Sequence, residues 1–323
     1  SGAFPDGYRL PPTRALAAEL GTHRNTVVRA YAELEAAGFL TSTVGRGTFV
    51  KAWRGSEPPR AASAPPERAL PWASLVSSAL RTEPIRRFLR SRRDPAPREG
   101  IDLTKMQPPD ELLPLELYRR CLEHALKAHP DKALGYAPRD GFRSLRSRVV
   151  EDLARRGVPA PADDVIVTTG SQQGLDLVAR ALVDPGDVVL THAATYAGAL
   201  QVFAASRAHI VGVPSDADGP DLDALRRLGA RRPKLLYLMP NHANPTGACI
   251  ARARRAAILA WARDAEVAVI EDDYAADLEL EGAPLPPALR ALDPDVIHVG
   301  TFSKRLIPAL RIGYVVAPAA LKP

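Results

Sequence analysis

Cysteine is nearly absent. The 323-residue chain has two, Cys121 and Cys249, far apart in sequence. That excludes a disulfide framework and a cysteine-built metal site, and it fits a reducing cytoplasm. Long apolar runs are missing too: none approaches the roughly 20 residues that a membrane-spanning helix needs. The first residues lack the basic-then-apolar pattern of an export signal. Lysine is scarce beside arginine, while alanine and proline are abundant, which reads as coding bias rather than function. What remains is a chain of ordinary apolar content, long enough for two domains with cores of their own.

The net charge of +6 is unevenly placed, with +7 on residues 1–100 and −1 on the rest. The excess suggests an anionic partner for the N-terminal end. The competing account is an arginine-rich solvated connector, because residues 52–100 alone carry +5.

Three zones separate along the chain. Residues 1–51 are helix-rich and compact. Residues 52–99 contain "GSEPPRAASAPPERALP" and "SRRDPAPREG", a Pro/Ala/Arg-rich linker composition, interrupted by a short amphipathic helix near "WASLVSSALR". From about Gly100, β-type apolar runs alternate with helical segments: "DVIVTT" then "QQGLDLVARAL", "DVVLTH" then "AGALQVFAAS", "KLLYLMP" then "RARRAAILAWARD", and on to "VAVIEDD", "VIHVGTF" and "IGYVVAP". That alternation predicts an α/β domain over 100–323 with a mostly parallel sheet and crossover helices.

In the first zone, "PPTRALAAELG" predicts a short helix that stops at Gly21. "THRNTVVRAYAELEAAG" predicts a second helix, N-capped by Thr22 and ended by Gly38, with Val27, Tyr31 and Leu34 on its inner face. "FLTSTVGRGTFV" predicts a hairpin with Arg46 at its tip. These elements resemble the winged helix-turn-helix of the GntR superfamily. The resemblance implies double-stranded DNA as partner, with Arg14, Arg24 and Thr26 facing it and Arg46 reaching it from the wing. It also implies one further helix ahead of the opening residues.

In the third zone, "DVIHVGTFSK" ends in Lys304, and Arg311 follows seven residues later. Packing explains a lysine at the end of a buried strand poorly, because an ammonium is costly to desolvate. A neutral, nucleophilic amine that forms a Schiff base explains it better. An aldehyde cofactor with a phosphate tail then needs a cation, and Arg311 is placed to supply one. A pyridine nitrogen kept protonated needs an anion, and "VIEDDYAADL" supplies carboxylates at another strand end. "NPTG", Asn244 to Gly247, puts an amide after a third strand, and "TTGSQQGLDL" puts Gly170, Ser171 and Gln172 where a helix N-terminus would bind phosphate.

In this order the motifs resemble the fold-type-I pyridoxal-5′-phosphate aminotransferases, and with the N-terminal unit they resemble the MocR-type regulators. The resemblance implies that Lys304 forms the Schiff base and that Asp272, favoured over Asp273 by the Asp-x-Tyr spacing, pairs with the pyridine nitrogen. Tyr274 and Asn244 would bond the ring hydroxyl, and Tyr196 would stack on the ring. Gly170, Ser171, Gln172, Ser303 or Thr301, and Arg311 would hold the phosphate. Tyr136, in "LGYAPRDG", would reach the phosphate of a partner subunit in a homodimer. Two positions depart from the pattern: Gln107 stands where glycine is usual, and Gly198 where some MocR regulators carry an effector-binding arginine. His242 has no assigned role, and no metal site is expected. The resemblance expects a C-terminal small domain beyond Pro323, and so negligible transamination and poor solubility without it.

The resulting expectation is a cytoplasmic, homodimeric, pyridoxal-phosphate-dependent transcription regulator that senses an amine, an amino acid or the cofactor itself. Two rivals stand beside it: a working aminotransferase with a vestigial N-terminal unit, and a regulator whose large domain is only a dimerisation scaffold.

Overall fold

The computed structural model describes residues 4–43, 45–51, 70–91, 108–275, 278 and 284–321. It divides into two compact units, Ser1–Trp72 and Ala73–Pro323. No described helix is long and apolar enough to cross a membrane.

In the first unit, helices α1 (Thr13–Glu19) and α2 (Arg24–Ala36) precede a hairpin of β1 (Leu40–Thr43) and β2 (Gly47–Val50). Ala17, Val27, Tyr31 and Leu40 form its small core, and the Tyr31 hydroxyl donates to the Pro11 carbonyl at 2.9 Å. Two details differ from the sequence expectation. His23, not Thr22, caps α2: its Nδ1 accepts from the Asn25 N–H at 3.3 Å, while the Thr22 N–H closes the preceding turn onto Ala17. Leu34 is 42% exposed, because it lies a turn beyond the core that α1 covers. Arg9 bridges to Phe49 and adds a short third stretch beside the hairpin.

The second unit is built on a seven-stranded sheet. Its elements begin with helices α3 (Trp72–Leu75), α4 (Glu83–Ser91), α5 (Leu115–Ala128), α6 (Pro130–Leu134) and α7 (Arg143–Arg155). Then come β3 (Val165–Thr168), α8 (Ser171–Leu182), β4 (Val188–His192), α9 (Ala197–Ala205) and β5 (His209–Val213). The small ribbon β6 (Ser215–Asp216) and β7 (Gly219–Pro220) precedes α10 (Leu222–Gly229), β8 (Leu235–Leu238), α11 (Arg252–Asp264) and β9 (Ala268–Asp273). The last elements are α12 (Leu289–Leu292), β10 (Ile297–Thr301) and β11 (Gly313–Val316).

The sheet order is β3-β11-β10-β9-β8-β4-β5. All neighbours are parallel except β11, which runs antiparallel to both β3 and β10. Its strands are apolar on both faces, as a sheet sandwiched between helix layers requires. Leu235, Tyr237, Ile270, Ile297 and Val299 pack under α8 and α9. Leu236, Leu238 and Val269 pack against α10 and α11 on the other face.

Within the segment read as linker, residues 73–91 join this second unit. Ala79 and Ile85 are buried, and α4 lies against α9. Residues 52–69 and 92–107, Gln107 among them, fall outside the described residues.

Candidate functional site

Five strands, β3, β4, β8, β9 and β10, end on the same side of the sheet, and the loops that follow them converge there. Ligands bind at strand carboxyl ends in open α/β sheets. A cleft of about 160 Å³ opens at this place. It is lined by Ser171 and Gln172 from the start of α8, Tyr196 from the β4–α9 turn, and Asn244 after β8. Asp272 lies at the end of β9 with Tyr274 just after the strand, Thr301 ends β10, and Ser303, Lys304 and Arg311 come from the β10–β11 connection. Met239 also lines it, an apolar contact that no motif marked.

Strand alternation decides which acid of "EDD" faces the cleft. Tyr237, Ile270 and Asp272 point one way; Glu271 and Asp273 point the other. Asp272 is 2% exposed and receives the Tyr237 hydroxyl on Oδ2 at 2.6 Å. Its Oδ1 is buried with no hydrogen-bond partner among the described residues. Burial pushes this carboxyl up to about 6. On the opposite face Asp273 meets Arg156 at 3.1 Å, and Glu271 meets His298 Nδ1 at 2.9 Å. Glu271 also accepts the N–H groups of Leu289 and Arg290. Asp273 therefore belongs to a structural charge network.

Lys304 is half-buried. Burial, and then the neighbouring Arg311 charge, hold its ammonium below the usual lysine range. Arg311 sits in the left-handed region at φ 51°, which turns its guanidinium back toward Gly170 and Ser303. Gly170 has φ 78°, and a Cβ there would come within 2.5 Å of Arg311 Nη2. Only glycine leaves the cation room at the α8 N-terminus. Arg311 Nη1 lies 3.4 Å from the Ser303 hydroxyl, which also accepts from Thr301 at 3.1 Å.

Tyr196 donates to Gln172 Oε1 at 3.2 Å, and Gln172 Nε2 donates to the Gly198 carbonyl at 2.9 Å. Burial and the nearby Asp272 charge raise the Tyr196 phenol. The Tyr274 hydroxyl donates to the His242 carbonyl at 2.7 Å. The loop that carries Asn244 is clamped from below by Arg255, a fully buried guanidinium bonded to Ile250, Pro240, Asn241, Pro286 and Pro287. Tyr136 lies away from the cleft, wholly exposed after α6.

In the first unit Arg14, Arg24, Thr26 and Arg46 are all exposed: one on α1, two at the start of α2, one at the hairpin tip. Sequence reading passed over Arg9. Its guanidinium lies against Gly47, beside Arg46, and only the backbone bridge reveals that.

A parallel sheet with a cationic and carboxylate-bearing cleft at its strand ends, preceded by a winged helix-turn-helix, defines an aminotransferase-like unit joined to a DNA-binding-type unit. The chain belongs to the aminotransferase class I and II family, whose model matches residues 111–322, and residues 1–50 match the bacterial regulatory proteins of the gntR family. Together the two matches give the arrangement of the MocR-type regulators. The chain is 34% identical to the probable rhizopine catabolism regulatory protein MocR of Rhizobium meliloti, over 99% of its own length and 63% of that protein's. It is 35% identical to the HTH-type transcriptional regulator TauR of Rhodobacter capsulatus, over 99% and 65%. Among solved structures, the α-aminoadipate aminotransferase LysN of Thermus thermophilus, complexed with N-(5′-phosphopyridoxyl)-L-leucine, aligns with a TM-score of 0.68 and 33% identity, over 78% of this chain and 63% of that one. Aminotransferases of this fold depend on pyridoxal phosphate. The chain thus spans a little under two-thirds of these relatives.

Proposed function

We propose that the chain is the DNA-binding and cofactor-binding part of a transcription regulator, in which pyridoxal phosphate at the cleft senses an amine or amino acid. One observation carries the reading: a buried, unpartnered carboxylate oxygen, a desolvated lysine and an arginine at a helix N-terminus share one cleft. Those are the groups that a protonated pyridine, an aldehyde and a phosphate require. When bound, the cofactor supplies an electron sink for carbanion character at an amine's Cα. The chain's own residues do the rest. Lys304 would hold the aldehyde end, and Asp272 would keep the ring nitrogen protonated. Arg311, Ser303 and the N–H groups of Ser171 and Gln172 hold the phosphate, with Thr301 bracing Ser303. Tyr196 would cover the ring, and Asn244 and Tyr274 would serve its hydroxyl. Visible absorbance on adding pyridoxal phosphate, and a spectral change with a particular amine, test the reading. A colourless chain would leave the scaffold rival in its place.

The regulator reading is favoured over a lone transaminase by coverage. The MocR and TauR relatives span 99% of the chain, whereas the 2-aminoadipate transaminase of Thermus thermophilus spans 67%. In the first unit Arg24 stands at the α2 N-terminus, where recognition helices read bases. Arg24→Ala is expected to cost about 1–3 kcal/mol in DNA affinity and to relax sequence preference. Affinity should also fall steeply with salt through counterion release. Fluorescence anisotropy against salt concentration measures both, and binding indifferent to salt and to Arg24 would refute DNA recognition by this unit.

A homodimer accounts for two further features. Leu115, Tyr118, Leu122 and Leu126 form an exposed apolar stripe along α5, and Tyr136 is wholly exposed nearby in sequence. If Tyr136 serves the partner's site, mixing Tyr136→Phe with Lys304→Ala subunits leaves one heterodimer site free of both changes. Cofactor affinity measured on the isolated heterodimer should then recover at one of its two sites; recovery at neither assigns the tyrosine to its own subunit.

A further inference from the structure

Tyr237 lies in the middle of β8, inside the sheet, and no motif marks it. Its ring is fully buried and meets the edge of Phe203 at 5.8 Å, so the side chain has one place to go. In register, Tyr237 pairs with Ile270, two residues before Asp272 on the same face of β9. That places its hydroxyl 2.6 Å from Asp272 Oδ2, and Asp272 Oδ1 is left without a partner among the described residues.

We propose that Tyr237 is a positioning residue for the cofactor: it occupies Asp272 Oδ2, keeps the carboxyl ionised and leaves Oδ1 alone for a pyridinium nitrogen. The inference rests on the pyridoxal-phosphate reading above. A buried carboxylate that accepts no hydrogen bond takes up a proton, and a protonated carboxyl cannot pair with a pyridinium. Asp272 has few other sources of help. Tyr196 and Tyr274 flank it from the cleft as neutral phenols. Asp273, next on its own strand, opposes its charge, and His298 on β10 lies on the other face of the sheet, beside Glu271. Tyr237 gives Asp272 its hydrogen bond. Burial and the Asp272 charge raise the Tyr237 phenol well above its ordinary value, so it stays a donor throughout the neutral range.

The test is pyridoxal phosphate affinity, measured by equilibrium dialysis on the full chain between pH 5.5 and 7.5. In this window a protonated ring meets an ionised Asp272 without net proton exchange, whereas a protonated Asp272 must first lose its proton. Removing the hydroxyl raises the pH at which that proton is lost. Tyr237→Phe is expected to lower affinity about tenfold at pH 6 and much less at pH 7.5. On an Asp272→Asn background the same change should add nothing, because the hydroxyl acts through Asp272. A loss equal at every pH, or a loss just as large on the Asp272→Asn background, shows that Tyr237 only packs and overturns the inference, as does no loss at all. An unaltered chain that takes up no pyridoxal phosphate sinks the cofactor reading itself, a result distinct from each of these. If Tyr237→Phe fails to fold, Asp272→Asn alone decides: it must flatten the pH dependence of affinity seen in the unaltered chain, and an unchanged profile overturns the proposal.

Discussion

Given pyridoxal phosphate and then borohydride, the unaltered chain should carry fixed cofactor on the peptide containing Lys304, and a Lys304→Ala chain should carry none. Lys304 is one of seven lysines. Among the described lysines it is the one that lines the cleft, and desolvation together with Arg311 keeps more of its amine neutral than a surface lysine has. The effect should be all or none in mass spectrometry. Non-covalent retention need not vanish, because Arg311, Ser303 and the α8 N-terminus remain to grip the phosphate. Dialysis against the Lys304→Ala chain separates the two contributions. Label on a different lysine would displace the site from this cleft.

Asp272→Asn should have two opposite effects. The carboxyl stands at about 6 in the folded chain against an ordinary 3.8. A raised acid holds its proton longer in the folded state than in the unfolded one. Its contribution is therefore intact below about pH 4 and is lost as pH rises toward 6. Above that the ionised carboxylate burdens the cofactor-free fold by about 3 kcal/mol. An uncharged amide removes the burden, so cofactor-free Asp272→Asn should melt several degrees higher at pH 8 and near parity at about pH 3.5. Pyridoxal phosphate affinity should fall by about a hundredfold, since the pyridinium loses its buried counter-charge. Calorimetry with and without cofactor reads both. A variant that binds as tightly as the original would show that Asp272 does not meet the ring nitrogen.

Much of the fold was legible because its signals are local. Each apolar run from "DVIVTT" to "IGYVVAP" became a strand, and the helices between them formed where helical periodicity and Gly or Ser boundaries coincide. The antiparallel course of β11 follows from the short connection after Lys304, which has no room for a crossover helix. Ten of the cleft residues carried motif signals, so their convergence could be expected. Tyr237, Met239 and Arg255 could not. A tyrosine in "KLLYLMP" looks like any apolar strand residue until the register sets it beside Asp272. Arg255 looks like one more surface arginine of α11 until its carbonyl partners appear. Residues 73–91 read as linker by composition, which averages over the proline-rich flanks, yet they sit in the second unit with Ala79 and Ile85 buried.

The alternation of Glu271, Asp272 and Asp273 makes β9 intolerant of small changes in length. The sheet acts as a partition with one acid on the ligand side and two on the other, the latter matched by His298 and Arg156. Deleting one residue from the middle of β9 would invert that allocation. Two carboxylates would turn to the cleft side, and the one left on the far side could not serve both His298 and Arg156. A point substitution of either outer acid leaves the inner one in place; a one-codon deletion moves all three at once. Among descendants of such a chain, substitutions in this strand should therefore far outnumber insertions and deletions, because counting from the strand's start, not chemistry alone, is what delivers the right acid to the right side.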